Sequence, residues 1–267
     1  MSNHRSRHER VALVTGSTSG IGLAIAQALI LDGWMVALHG LGTAQEIDSV
    51  LMQVASQVGS SNMPRHFHAD LRSPEQARGL VSEVESKLGR VDLLVNNAGI
   101  QHTSRVEDFP TSKWDEIMAI NLSAVFHACA AALPGMKRRN FGRIVNIASI
   151  HGLVASAEKA AYVSAKHGVV GLTKTIALEN ARSNITCNAI CPGWVRTPLV
   201  EAQVLHRMSA MGLDHEAAER TLLAEKEPSQ RFTTTEHIAS AVAFLISEAG
   251  SNITGTSLAM DGAWTAQ

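Results

Sequence analysis

Along the chain, short runs of β-branched and apolar residues alternate with longer stretches whose apolar positions recur every three or four residues. The first kind marks strands buried on both faces, the second amphipathic helices. Strands are expected at Val11–Thr15, Trp34–His39, Arg65–His68, Val91–Val95, Arg143–Ala148, Ile185–Cys191 and Thr256–Met260. Helices are expected between them. Gly20–Leu31 is stopped by Asp32-Gly33, where glycine suits the left-handed C-cap, and Ala44–Val58 follows. Ser73-Pro74-Glu75 supplies an N-cap and a proline at the first helical position. Two long apolar helices are expected at Lys113–Arg138 and Ala160–Ala181.

This alternation predicts an α/β fold: a Rossmann-type doubly wound parallel sheet of about seven strands with helices on both faces. It forms a single domain over 11–267, behind a flexible polar tail from Met1 to Arg10. The stretch Pro198–Pro228 breaks the alternation with polar helical sequence. It rises from the C-terminal ends of the strands, where ligands bind, and is expected to form a lid.

Composition narrows the function class. The chain has 267 residues, 45% apolar, enough for one sizeable core. Lys and Arg number 23 against 24 acidic residues, and a net charge of −1 gives no field for nucleic acid. No uninterrupted apolar run of about eighteen residues and no apolar signal region occur, so neither a membrane span nor a secretory signal is expected. Cys129, Cys187 and Cys191 form no CxxC, which fits reduced thiols in a cytoplasmic protein. None of the 12 histidines falls into HExxH or finger spacing, and His4 and His8 sit in the tail, so no metal site is expected.

Three segments carry chemistry. Thr15-Gly16-Ser17-Thr18-Ser19-Gly20-Ile21-Gly22 lies where the first strand meets the first helix. Glycines there let the backbone approach a pyrophosphate held at the helix N-terminus, although GxxxGxG could also be a structural turn. Asn96-Asn97-Ala98-Gly99 follows the fourth strand, either passing close under a cofactor or forming an ordinary loop. Ser149 ends the fifth strand, and Tyr162 and Lys166 share a helix face within YVSAK. A phenol titrates near pH 10, and a neighbouring ammonium is expected to favour its phenolate. Tyr162 could then exchange a hydroxyl proton while a hydride moves. The competing reading is an ordinary Tyr beside a solvated Lys. Against it, Tyr162 is the only tyrosine in the chain.

Together, TGSTSGIG, NNAG, Ser149, YVSAK and Pro192-Gly193-Trp194-Val195-Arg196-Thr197-Pro198 resemble the short-chain dehydrogenase/reductase family, in its order and over essentially the full length. The resemblance implies a nicotinamide-dependent oxidoreductase with Asn121, Ser149, Tyr162 and Lys166 as a catalytic tetrad, Asn121 holding a water in a proton relay to the Lys. It implies cofactor contacts from Gly16, Thr18, Gly20, Ile21 and Gly22, from Asp70 and Leu71 near the adenine, and from Asn97 near the ribose. Val195 and Thr197 would hold the nicotinamide amide, with Leu41, Gly99, Tyr162, Lys166, Pro192 and Gly193 on the same cofactor surface.

The second strand ends in His39-Gly40-Leu41-Gly42, without the acid that usually accepts the ribose 2′-OH of NAD. No Arg or Lys occurs in 17–19 or 39–42 either. An unpaired buried phosphate dianion is the costlier mismatch, so NAD is expected. Around the expected site fall Gln101, His102, His151, Lys159 and Gln203. Amides, a Lys and a His converging there would suit a small carboxylate, and Trp194 and Trp264 could wall off a methyl group. Each residue alone could equally be a solvated surface group. NNAGIQH, EDFPTSKW, NLSAVFHA, IASIHGLVAS, KHGVVG, EKEPSQRF and DGAWTAQ are similar to the branch of the family that acts on short 3-hydroxy acids. That similarity implies interconversion of (R)-3-hydroxybutyrate and acetoacetate, with Gln101, His151, Lys159 and Gln203 on the carboxylate and a homotetramer packed through the two long helices. Two other readings stand beside it: an NADPH-dependent 3-oxoacyl thioester reductase and a non-catalytic nucleotide-binding sensor.

Overall fold

The computed structural model describes residues 10–56 and 63–266. Apart from Arg10, the expected tail lies outside these residues, as does Val58 at the expected end of the second helix. Seven strands, β1 (Val11–Val14), β2 (Met35–His39), β3 (Arg65–Phe67), β4 (Leu93–Asn96), β5 (Gly142–Ile147), β6 (Ile185–Pro192) and β7 (Ser257–Met260), form one sheet in the order β3-β2-β1-β4-β5-β6-β7. Every pairing is parallel, as the alternating pattern predicts. The strand order reverses between β1 and β4, which opens a crevice at the C-terminal ends of those strands.

The helices are α1 (Gly20–Leu31), α2 (Ala44–Ala55), α3 (Pro74–Leu88), α4 (Thr111–Met118), α5 (Ala124–Arg139), α6 (Ala160–Glu179), α7 (Pro198–Met211), α8 (His215–Ala224) and α9 (Thr235–Ile246). Alternate residues of each strand feed the two faces of the sheet. Val11 and Leu13 pack with Leu80 and Val84 of α3, Ala128 and Ala132 of α5 and Val169 of α6. Ala12 and Val14 pack with Ile25 and Leu29 of α1 and Ile238 and Val242 of α9. Burial on both sides is why these strands read as continuous apolar runs.

The helix expected at Lys113–Arg138 is divided. A five-residue π turn, Ala119–Ser123, separates α4 from α5 and carries the fully buried Asn121. Such turns are rare and recur at functional sites. Within the run Thr111–Arg139 an 18-residue window reaches a mean hydropathy of 1.6, long and apolar enough by composition to cross a membrane, with 39% of that window buried in the fold. Core helices packed against a sheet reach the same length and hydropathy, and Ala128, Ala132 and Met136 of this run are buried in the fold. The expected insertion is a helical pair, α7 and α8, turned by Gly212 at φ +64°. It has its own small core of Val200, Val204, Ala218 and Leu222, against which Trp194 and Phe232 pack.

Candidate active site

The glycine-rich turn is tied down from beneath. Thr15 Oγ1 accepts the N–H groups of Asn97 and Ala98 at 3.0 and 3.1 Å. Asn97 Nδ2 donates to the carbonyls of Thr15 and Gly16, both at 2.9 Å. A Cβ on Gly22 would lie 2.2 Å from the Gly16 carbonyl oxygen and 2.5 Å from Asn97 Nδ2, so no side chain fits there. Gly16 has φ +61° and would bring a Cβ within 2.9 Å of Ala98. The N-cap of α1, Ser19, makes no side-chain cap bond. The first amides of α1 are therefore not capped by the residue before them, which suits an incoming phosphate.

His39 replaces the usual acid and has a different task. Its Nε2 lies 3.1 Å from the Ala69 carbonyl, which can only accept, so Nε2 carries the proton. Nδ1 is then free to accept the Gly16 N–H at 3.3 Å. Burial lowers the His39 pKa further and keeps the ring neutral. Gly40 lies against Thr18, where a Cβ would meet Thr18 Oγ1. Leu41 is 59% exposed. The Asp70 carboxylate is engaged by Arg72 at 2.6 Å, which holds its pKa down at about 2, and Leu71 is buried beside it. Gly16, Thr18, Leu41, Asp70 and Leu71 thus occupy the loops at the ends of β1, β2 and β3, and Gly20 and Gly22 the first turn of α1, all apart from the lining of the main cleft.

That cleft opens at the C-terminal ends of β4, β5 and β6 and holds about 170 Å³. Ile21, Asn97, Gly99, Pro192, Gly193, Val195 and Thr197 of the expected cofactor surface line it. So do Ser149, Tyr162 and Lys166, and all of Gln101, His151, Lys159, Trp194, Gln203 and Trp264. His102 is not among them; its ring meets Phe109 edge-on.

Tyr162 hydrogen-bonds to Ser149, whose Oγ also accepts the His151 N–H at 3.1 Å. Lys166 Nζ donates to the Ile147 carbonyl at 2.8 Å and stands 5.5 Å from the centre of the Tyr162 ring. Burial pushes the Tyr162 phenol up, with the bond to Ser149 opposing, and pulls Lys166 down to about 8. Among the protein's own groups, then, desolvation outweighs the help expected from the ammonium. The Asn121 amide joins both polar atoms of the Ile100 backbone, accepting its N–H at 2.9 Å and donating to its carbonyl at 2.8 Å. Asn121 Oδ1 and Lys166 Nζ both border the space above Gly99, 3.4 and 3.8 Å from where a Cβ would sit.

Beside Ser149, His151 is buried with neither ring nitrogen hydrogen-bonded. Burial, Lys159 and Lys226 push its pKa to about 3, so the ring is neutral. Its ring meets Tyr162 and Trp264 edge-on, at 6.0 and 5.7 Å. Lys159 is the N-cap of α6 rather than a member of its helical face, and its Nζ stands 5.4 Å from the Trp194 ring centre.

Two neighbours lie within EKEPSQRF, where the sequence assigns them no role. Lys226, just past α8, reaches Ser156 Oγ and the Trp264 ring. Glu227 is 1% exposed, and its Oε2 accepts the Trp194 N–H at 3.2 Å. Burial, then Asp261, pushes Glu227 up to about 7 against that bond. The folded pKa exceeds the unfolded one, so the associated stability is complete below about 4.5 and is lost as pH rises through about 7. Glu227→Gln is expected to melt several degrees above the wild type at about pH 8 and level with it at about pH 4, by thermal denaturation. A constant difference between those pH values would refute this.

The short chain dehydrogenase family model matches residues 10–207. Among curated proteins the chain is 48% identical to the D-beta-hydroxybutyrate dehydrogenase of Cupriavidus necator, over 97% of this chain and 98% of that one. It is 46% identical to the enzyme of that name from Rhizobium meliloti, over 97% and 99%. Among solved structures it superposes on an actinorhodin polyketide ketoreductase variant with NADPH at a TM-score of 0.88 and 35% identity, over 97% of this chain and 98% of that one. Levodione reductase gives the same TM-score at 31% identity and the same coverage.

Proposed function

The chain belongs to the short chain dehydrogenase family, and from that membership we propose that it interconverts (R)-3-hydroxybutyrate and acetoacetate with NAD. The observation that carries the substrate is the lining of the cleft: Lys159, Gln101, Gln203 and a buried His151 whose ring nitrogens have no partner share it with Tyr162 and Ser149. A carboxylate there would find a cation and neutral donors, while Trp194 and Trp264 exclude water from the carbon chain.

The uncapped start of α1, the tight turn that Gly16 and Gly22 permit and the room beside Gly99 fit a dinucleotide, with Val195 and Thr197 beside its nicotinamide end. When bound, the cofactor supplies the two-electron acceptor for the hydride and, oxidised, a positive ring. Ser149 holds the substrate oxygen. Tyr162 Oη takes the hydroxyl proton during oxidation and returns it during reduction. Lys166 stands against the Tyr162 ring, fixed by the Ile147 carbonyl, and favours the phenolate once the oxidised ring adds its charge. Asn121 fixes the Ile100 segment that floors the site and sits beside the Lys166 ammonium, where a relay water would lie.

NAD rather than NADP is supported by a β2 end of His39, Gly40 and Leu41 without a cation. The single-domain boundaries, a cytoplasmic location and a homotetramer belong to the same proposal; exposed Phe126 on α5 and Leu178 on α6 support assembly through the long helices. Initial rates should favour (R)-3-hydroxybutyrate over butan-2-ol by about a hundredfold in kcat/KM, and NAD over NADP by a similar factor. Equal rates on the acid and the alcohol would defeat the substrate assignment. A preference for NADP would favour the thioester-reductase reading instead.

A further inference from the structure

The acid end of the cleft contains a second ammonium group. Lys226 leaves the lid just after α8, and its Nζ donates to Ser156 Oγ, on the loop that joins Ser149 to α6. The same Nζ stands 5.3 Å from the centre of the Trp264 ring. Lys159 stands over Trp194, and the two indoles lie 6.3 Å apart. Two cations therefore flank a pair of tryptophans and one neutral imidazole. They sense one another: after burial, Lys226 is the next influence lowering the Lys159 pKa, and it contributes with Lys159 to lowering that of His151. Among the described residues no carboxylate forms an ion pair with either lysine; the lid acids pair with Arg196, Arg207, His215 and Arg220 instead. Two like charges held together without a counter-ion favour an incoming anion.

We propose that Lys226 is a specificity-determining residue of this site, a second cation that the lid delivers to the carboxylate end and latches to Ser156. The proposal rests on the reading of the cleft as a hydroxy-acid site. Trp264 lines the cleft and Lys226 does not, so its charge acts across the indole. Its hydrogen bond to Ser156 holds the lid exit against the substrate loop, so closure and charge arrive together.

The test is a titration of butyrate, an unreactive acid, into the NAD-saturated protein, read by tryptophan fluorescence. Lys226→Gln should weaken butyrate about tenfold, Lys226→Arg should restore it to within about threefold, and Ser156→Ala, which keeps the charge but loses the latch, should weaken it about threefold. Binding of butan-2-ol should change less than that of butyrate in every variant. Equal butyrate affinity in Lys226→Gln, equal losses for acid and alcohol, or no butyrate binding by the wild type would each overturn the proposal. If Lys226→Gln does not fold, the comparison of Ser156→Ala and Lys226→Arg with the wild type decides it. Lys226-dependent butyrate binding without oxidation of (R)-3-hydroxybutyrate would retain the second cation and defeat the substrate assignment. Oxidation with a KM untouched by Lys226→Gln would do the reverse.

Discussion

Tyr162→Phe is expected to lower kcat by roughly a thousandfold, about 4 kcal/mol at the barrier, while NAD binding is unchanged. The substitution removes one oxygen and leaves the ring. The contact with Lys166 at 5.5 Å and the edge-on contact with His151 at 6.0 Å are contacts of the ring, so the cleft keeps its shape. What is lost is the hydroxyl that bonds to Ser149 and that the proposed mechanism uses to exchange the proton. The pH dependence should change as well. Burial raises the phenol and the base form is needed for oxidation, so kcat/KM for oxidation should rise with pH in the wild type. In the variant that rise should vanish. NADH absorbance gives the rates, and calorimetric titration of NAD gives the binding. Turnover within about tenfold of the wild type would remove Tyr162 from the proton path and, with it, the enzymatic role assigned to this cleft.

The sheet was legible because burial on both faces turns its strands into apolar runs: Val11–Val14 and Leu93–Asn96 are buried at every position. The glycine-rich turn was legible because Gly22 and Gly16 admit no Cβ, a restriction that shows directly in residue type. Ser149, Tyr162 and Lys166 come from one strand end and the helix after it, so local order already places them near each other. Two features were not legible for one reason: burial of the Tyr162 phenol opposes the ammonium of Lys166, and the Lys113–Arg138 helix is divided. Sequence spacing contains neither desolvation nor the π turn that buries Asn121 against Ile100. The roles of His39, Lys226 and Glu227 were not legible for another reason. Their roles come from contacts with Gly16, Ser156 and Trp194, two of which span long loops or the lid, and no local spacing announces them.

Lys159→Ala is expected to raise the KM for (R)-3-hydroxybutyrate by about fiftyfold, with the loss falling on KM more than on kcat. Removing one partner of a half-buried charge pair costs about 2–3 kcal/mol, most of it from the charge left behind. If Lys226 acts as the second cation proposed above, it keeps the cost at the lower end of that range, because it stands close enough to Lys159 to lower its pKa. The fold should tolerate the change. Lys159 caps α6 without a side-chain bond to the helix, and its backbone bridge to Ser104 does not depend on the side chain. A neutral ketone of similar size should be reduced at nearly the wild-type rate, because it places no charge at that end. Burial and Lys226 hold the Lys159 pKa below its ordinary value, so the KM of the wild type should climb at alkaline pH as this ammonium titrates. The Lys159→Ala profile should be flatter over the same range. An unchanged KM, or an equal loss on the neutral ketone, would mean that the carboxylate lies elsewhere, and the pairing of Lys159 with His151 would then be packing around Trp194 and Trp264 rather than recognition.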